Sequence, residues 1–399
     1  MTEMEAQLSK LFTLAAGDPP RRVSVEAVRS AVARRRVTWS AVAAAAVVLV
    51  AGAGVAVAGQ AWEQRQVGHP GLPPRVPRHY IVQEIGHVPE RLQTQIRSTA
   101  TGAVTASVRC PGPGPGSVSR WLAPADDQTF FVACEKQVGT HPSGPVRLYR
   151  FQVTGSGRIS GYAPVRGGAL TGIWVGDIAA TPDGSLVAVQ AFTRNTTAAG
   201  PEVVVIDTRT GRRAVWQPAR PVGKIAYPVV ELSLTADGKQ LVYLANHTCI
   251  RGQGAPPPCR VSSEVRAVTL VPGGGTLASS RVLLNQSRLK GLSLSFITAG
   301  VITPDGSAIT LAVLGNGPTR NSSSVSVLQY SATTGRLLRM VYRMRTGSGY
   351  SYGAFAADAS GSHFIFDAGT VNHPVNGWID HGRLIRLLPP GRSVLFEYW

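Results

Sequence analysis

The residues best able to form covalent or metal bonds are four cysteines, Cys110, Cys134, Cys249 and Cys259. An even count in an oxidising compartment favours disulfides. A Cys249–Cys259 bridge would staple the loop that holds Pro256-Pro257-Pro258, and a Cys110–Cys134 bridge would join two neighbouring repeats. Two disulfides and no free thiol are the expectation. His247 with Cys249 and Cys259 offers zinc-type donors, but their spacing matches no standard zinc motif, so no metal is expected.

Nucleophilic chemistry has one sequence candidate. Gly349-Tyr350-Ser351-Tyr352-Gly353 matches the Gly-x-Ser-x-Gly elbow, which needs a strand before it and a helix after it. Ala354-Phe355-Ala356-Ala357 comes next instead, leading into a turn, so the segment reads as a glycine-rich entry to a strand. The eight histidines show no His-Glu-x-x-His pairing, and His363, His373 and His381 are spread over one repeat. Gly112-Pro113-Gly114 and Gly155-Ser156-Gly157 lack the helix that would make them cofactor loops. No catalytic, cofactor-binding or metal-binding residue is therefore named, and the chain is not read as an enzyme.

The elements around these residues divide at one apolar stretch. From Ser40 to Ala61 no residue is charged, and 22 residues at 1.5 Å each make a helix of about 33 Å, long enough to cross a hydrocarbon core. Trp39 and Trp62 flank it, and Arg21, Arg22, Arg29, Arg34, Arg35 and Arg36 precede it. This positive-inside bias predicts a plasma-membrane protein with a cytoplasmic N-terminus and everything beyond about residue 62 outside. A cleaved signal peptide, with Ala56-Val57-Ala58 as the cleavage site, is the alternative. The predicted organisation is a cytoplasmic amphipathic segment (1–37), a transmembrane helix (38–62), a Pro-rich linker (63–78) and one large domain (79–399). The arginine run before the membrane is read as topological, and no nucleic acid is expected as a partner.

Beyond residue 79 the sequence offers short apolar or alternating runs bounded by turn residues, an all-β pattern. It also repeats. Thr181-Pro182-Asp183-Gly184, Thr235-Ala236-Asp237-Gly238 and Thr303-Pro304-Asp305-Gly306 each separate two apolar runs, with weaker copies at Pro124-Ala125-Asp126-Asp127 and Ala357-Asp358-Ala359-Ser360-Gly361. Taking Asp127, Asp183, Asp237, Asp305 and Asp358 as the central residues gives spacings of 56, 54, 68 and 53. A second marker comes after each first one, as in Asp207-Thr208-Arg209-Thr210-Gly211-Arg212, Ser331-Ala332-Thr333-Thr334-Gly335-Arg336 and Ser98-Thr99-Ala100-Thr101-Gly102.

Two hairpins per unit of about 55 residues predict four-stranded antiparallel blades stacked radially, because one such sheet cannot bury both its faces alone. The fold class is an all-β six-bladed β-propeller, with seven blades as the alternative, preceded by the transmembrane helix and short cytoplasmic helices. The first unit lacks an opening strand, and Ser393 to Trp399 belongs to no complete unit. The ring closes if that C-terminal run enters the first blade.

The Thr-Pro-Asp-Gly turns, together with Leu186-Val187-Ala188-Val189 or Leu241-Val242-Tyr243-Leu244 and then Val203-Val204-Val205-Ile206-Asp207, resemble those of WD-repeat-like and TolB-like propellers. The Gly-His and Trp-Asp pairs of true WD repeats are missing. The whole layout is similar to single-pass propeller proteins of high-GC Gram-positive bacteria, a family of unassigned activity. The resemblance implies a fold and not a chemistry.

Both turn markers are predicted on one face, so the longer connections fall on the other, where binding usually sits. Those connections carry Lys136, Arg194, Arg251, Arg260 and Arg320. Residues 62–399 hold 33 basic and 18 acidic residues, a net of +15. A basic surface outside a membrane favours an anionic envelope ligand. The sequence thus reads as a membrane-anchored binding, sensor or scaffold module for an envelope ligand or protein partner, without a cofactor. A propeller lyase or hydrolase acting on an envelope polymer is the alternative.

Overall fold

The computed structural model describes residues 76–85, 92–111, 117–138, 141–142, 145–193, 200–218, 225–226, 229–249, 262–286, 289, 294–316, 323–346, 355–370, 373–387 and 394–398. The chain divides into two units, Met1–Pro70 and Gly71–Trp399, and the described residues all belong to the second. The sequence-predicted cytoplasmic segment and transmembrane helix lie outside them. Among the described residues no helix is long and apolar enough to cross a membrane.

The described residues form six antiparallel blades. Blade 1 contains β1 (His79–Ile85), β2 (Leu92–Ser98) and β3 (Val104–Val108). Blade 2 has β4 (Ser117–Pro124), β5 (Thr129–Val138), β6 (His141–Pro142), β7 (Val146–Val153) and β8 (Ile159–Leu170). Blade 3 runs through β9 (Ile173–Ala180), β10 (Leu186–Thr193), β11 (Glu202–Asp207) and β12 (Arg213–Gln217). Blade 4 comprises β13 (Ile225–Ala226), β14 (Val229–Leu234), β15 (Gln240–Cys249), β16 (Ser262–Thr269) and β18 (Arg281–Asn285), and β17 (Gly275–Thr276), between β16 and β18 in the chain, joins the sheet of blade 3. Blade 5 holds β19 (Leu294–Ile302), β20 (Ala308–Asn316), β21 (Ser323–Ser331) and β22 (Leu337–Thr346). Blade 6 holds β23 (Phe355–Ala357), β24 (Phe364–Thr370), β25 (His373–Asp380) and β26 (Arg383–Arg386).

The last strand, β27 (Val394–Tyr398), pairs with β1 and supplies the first blade's missing innermost strand, giving the order β27-β1-β2-β3. The ring closes as the orphan C-terminal run requires, with the first and last described strands in one sheet.

Each blade is apolar on both faces, as in β7, where Val146 and Leu148 are buried toward one neighbour and Tyr149, Phe151 and Val153 toward the other. The buried side chains accordingly fill the wedges between blades. Six clusters among the described residues occupy the six interfaces. Phe130, Phe151 and Ile96 lie between blades 1 and 2, and Phe131, Val187 and Ile206 between 2 and 3. Trp216 and Tyr243 lie between 3 and 4, and Leu284 and Ile309 between 4 and 5. Phe364 and Val327 lie between 5 and 6, and Tyr80 and Trp378 between 6 and 1.

The first-marker turns close as their residues predict. In blade 3, Gly184 N donates to Thr181 O at 2.8 Å, and Asp183 Oδ1 accepts Thr181 Oγ1 and Ser185 N at 2.7 and 2.9 Å. Blades 4 and 5 repeat the pattern at Thr235/Asp237 and Thr303/Asp305. Thr208 N, from the second marker of blade 3, donates to Ser185 O at 2.9 Å, so both markers do share a face.

Part of the longest spacing, in blade 4, has a structural cause. After Gly274, β17 and a 3-10 turn at Leu277–Ser279 intervene before β18. β17 pairs in parallel with β12, which covers the outer edge of blade 3.

Two weak markers differ from the reading by residue type. In blade 2 the capping acid is Asp126, whose Oδ1 accepts Gln128 N and Thr129 N at 2.8 and 2.5 Å, and not Asp127. In blade 6, Gly361 N donates to Asp358 O at 2.9 Å, which puts Asp358 at the threonine position and Ser360 at the aspartate position.

Candidate functional site

The innermost strands present unpaired edges toward the axis, and their polar groups need partners there. Carboxylates from the preceding blade supply several. Glu135 Oε1 on β5 accepts Val175 N of β9 at 3.0 Å, and Asp177 Oδ2 on β9 accepts Leu232 N of β14 at 2.6 Å. Glu231 Oε2 on β14 accepts Gly300 N of β19 at 2.7 Å. Gln190 Nε2 on β10 donates to Val229 O of β14, across the same blade 3–blade 4 interface as Asp177.

Bulges aim these groups. The pairings of β9 with β10 and of β14 with β15 each slip by one residue, leaving Gly176 and Glu231 as the extra residues. Glu231 is held at φ 50°, a left-handed conformation uncommon for a side chain of its type.

The same enclosure shifts their titration. Burial pushes the Asp177 carboxyl up to about 7, against lowering hydrogen bonds from Leu232 and Ile178. Burial, then repulsion from Asp177, raises Glu231 well above the usual carboxylate range, against the hydrogen bond from Gly300. A carboxyl titrating near neutrality can give or take a proton at physiological pH. Sequence reading missed both residues, because an acid inside a short apolar strand carries no local motif.

Charge is partitioned across the ring. Apart from the two-residue β17 that covers β12, the outermost strands of the six blades are β3, β8, β12, β18, β22 and β26. None contains Asp or Glu, while five carry arginine: Arg166, Arg213, Arg281, then Arg339, Arg343 and Arg345, then Arg383 and Arg386. Arg109 sits directly after β3, and all nine are exposed. Arg213 binds Gly167 O and Ala169 O of blade 2 at 2.7 and 2.6 Å, so part of the belt ties neighbouring blades. The turn acids Asp126, Asp183, Asp207, Asp237, Asp305 and Asp358 accept backbone N–H bonds within their own hairpins.

The sequence-predicted residues fall unevenly on this frame. Cys110 and Cys134 form a disulfide, with Cα atoms 5.7 Å apart, that links the end of blade 1 to β5 of blade 2. Cys249 ends β15, but its side chain, those of His247 and Lys136, and residues Cys259, Arg194, Arg251, Arg260 and Arg320 lie outside the described residues. The same holds for Gly349 to Gly353. The next element along the chain is the strand β23, where a nucleophile elbow needs a helix. His363 Nδ1 lies 2.9 Å from Asp358 Oδ2 in the sixth turn. Among the described residues no group of three His, Cys, Asp or Glu side chains is placed to hold a metal ion.

No protein-family model and no curated protein matches the sequence. Among solved structures the chain is similar to TolB from Acinetobacter baumannii, at 15% identity and a TM-score of 0.48, over 80% of this chain and 65% of that one. It is also similar to a putative TolB from Agrobacterium tumefaciens, at 14% identity and 0.41, over 78% and 88%. A third is a putative 6-phosphogluconolactonase from Bacteroides uniformis, at 12% and 0.42, over 80% and 96%. The chain spans slightly less than two-thirds of the first of these. At such identities the likeness is one of fold alone, and the six-bladed ring stands on the strand pairing described above.

Proposed function

We propose that the chain is a membrane-anchored extracytoplasmic binding or scaffold module that engages an anionic envelope ligand or an acidic protein partner through its basic surface, without catalysis. The observation that carries this reading is the partition of charge. Arginines line the outer strands, while Glu135, Asp177 and Glu231 accept backbone N–H bonds from the next blade's innermost strand, six turn aspartates accept them within their own hairpins, and Glu264 on β16 is paired with Arg266. A surface of one sign raises the local concentration of an oppositely charged partner. The uncharged Ser40–Ala61 stretch and the arginines before it support an anchor that leaves the propeller outside.

Binding of the Gly71–Trp399 unit to fractionated envelope material at low and high salt tests the reading. Retention that high salt abolishes is the expected result. Retention indifferent to salt, or none, would refute it.

The lyase or hydrolase reading has one observation in its favour, the Asp177 and Glu231 carboxyls raised on adjacent innermost strands. It requires that Asp177→Asn abolish turnover of an envelope polymer. Both side chains already serve as acceptors for the next blade's backbone, which is a structural use, so binding is the preferred reading.

A further inference from the structure

Three of the eight large apolar side chains exposed among the described residues fall within four consecutive positions of β22. Leu337, Leu338 and Met340 are 46, 51 and 47% exposed. Arg336, Arg339, Arg343 and Arg345 are exposed around them. Neither β21 nor β22 contains a carboxylate, and the outermost strands of the adjoining blades add Arg281, Arg383 and Arg386.

β22 ends its sheet, and its outer edge pairs with no strand among the described residues. Arginines alone would guard such an edge. Two bulges, at Leu338 and Val341, further break its ladder against strand addition. Neither device calls for exposed leucine and methionine beside the charges. A polyanion in solution would take the arginines and leave the aliphatic groups in water. The interface of an anionic bilayer offers phosphates and an apolar layer within one side-chain length.

We propose that β22 is where the propeller rests on an anionic phospholipid surface. Leu337, Leu338 and Met340 enter the boundary between headgroups and acyl chains, while Arg339, Arg343 and Arg345 bind lipid phosphates. The proposal deepens the envelope-binding reading and rests on the propeller facing a membrane. That premise is checked separately, by whether the full-length chain resists alkaline extraction from membranes.

The Gly71–Trp399 unit closes its own ring and fills all six wedges from its own residues, so it serves as the test protein. It is expected to sediment with vesicles of equal parts phosphatidylglycerol and phosphatidylcholine and to stay in solution with phosphatidylcholine alone. Arg339→Glu, Arg343→Glu and Arg345→Glu together should weaken that binding about tenfold or more. Leu337→Ser, Leu338→Ser and Met340→Ser should weaken it comparably with the arginines intact. Equal binding to both vesicle types, or unchanged binding by both triple variants, overturns the proposal. Capture of a polyglutamate peptide by the same arginines without vesicle binding also overturns it, in favour of an acidic protein partner. If a triple variant fails to fold, hydrogen exchange of the wild-type unit reads the same contact. Anionic vesicles should slow exchange at the β22 amides, and unchanged exchange there refutes the proposal.

Discussion

Asp358 and Ser360 build the sixth blade's turn with donor and acceptor exchanged relative to blades 3 to 5. Ser360 Oγ donates to Asp358 Oδ2 at 2.6 Å, where in blade 3 Thr181 Oγ1 donates to Asp183 Oδ1 at 2.7 Å. The backbone bonds obey the exchange. His363 N donates to Asp358 Oδ1 at 3.0 Å, in the place of Leu186 N on Thr181 Oγ1 at 3.1 Å. A β-turn needs an acceptor at each of two positions, and hydroxyl and carboxylate both qualify, so either arrangement closes the hairpin.

That equivalence predicts a rescue. Asp358→Ala removes a buried acceptor of several hydrogen bonds and should cost about 2–3 kcal/mol. The double variant Asp358→Thr with Ser360→Asp recreates the blade 3 pattern and should recover most of the loss. What remains reflects the lost contact with His363. Burial raises the Asp358 carboxyl, but bonds from His363 and Ser360 outweigh it and hold the pKa below 3.8. Its contribution is therefore present above that value and fades as pH falls below it. Urea midpoints of the three proteins at neutral pH decide the point, and a double variant no better than Asp358→Ala would refute the equivalence.

Asp177 predicts the opposite pH dependence. Its carboxyl titrates at about 7 in the folded chain against 3.8 when free, chiefly through burial. Its favourable balance is complete below 3.8 and is lost as pH rises to about 7, a swing on the order of a few kcal/mol. Asp177→Asn keeps an oxygen to accept from Leu232 N and carries no charge to desolvate. The variant should therefore equal or exceed the wild type in stability above pH 8 and fall behind near pH 4. Thermal midpoints across that range measure it, and a wild type that gains stability from pH 5 to 8 relative to Asp177→Asn would contradict the assignment.

Sequence distance separates the features that could be read from those that stayed hidden. Thr181, Asp183 and Gly184 act within six residues of each other, so their roles are written locally and the turns and blade count could be read directly. The orphan run ending at Trp399 signalled closure because an unpaired edge must find a partner. Asp177, Glu231 and Gln190 act on residues about 40 to 70 positions away, across interfaces that exist only once blades are stacked. The swap at Asp358 and Ser360 was misread for a subtler reason. Aspartate is the more familiar turn marker, and the sequence alone does not tell which of two acceptor positions it fills. The belt of arginines was visible as excess charge, but its location required knowing which strands lie outermost.

Two glycines separate backbone strain from steric contact. Gly172 and Gly238 adopt φ of +70° and +64°. A Cβ at Gly172 meets nothing within 4 Å, whereas one at Gly238 lies 2.7 Å from Leu186 Cδ1 and 3.8 Å from Thr181 Cγ2 of the preceding blade. Gly172→Ala should cost only the left-handed penalty, about 1 kcal/mol. Gly238→Ala must also push aside the terminal methyl of Leu186, a half-buried side chain able to turn, and should cost somewhat more, about 1–2 kcal/mol. Equal losses in denaturant unfolding would mean that the turn of blade 4 does not press on blade 3 as described.

The Cys110–Cys134 bridge makes the last prediction, because it spans the wedge beside the blade where the first and last described strands pair. With a sequence separation of 24, the chain-entropy model gives a stabilisation of about 3–4 kcal/mol. Blade 1 is held together by pairing of β27 with β1, and opening there would break the ring without unfolding the other blades. The bridge fastens β3's end to blade 2, so it restrains one side of that opening. Replacing both cysteines by serine should lower the urea midpoint by the corresponding amount. It should also speed hydrogen exchange in β1, β2 and β27 more than in β19 to β21. A uniform increase around the ring would show that blade 1 is no weaker than its neighbours, and the bridge would then stabilise only the ring as a whole.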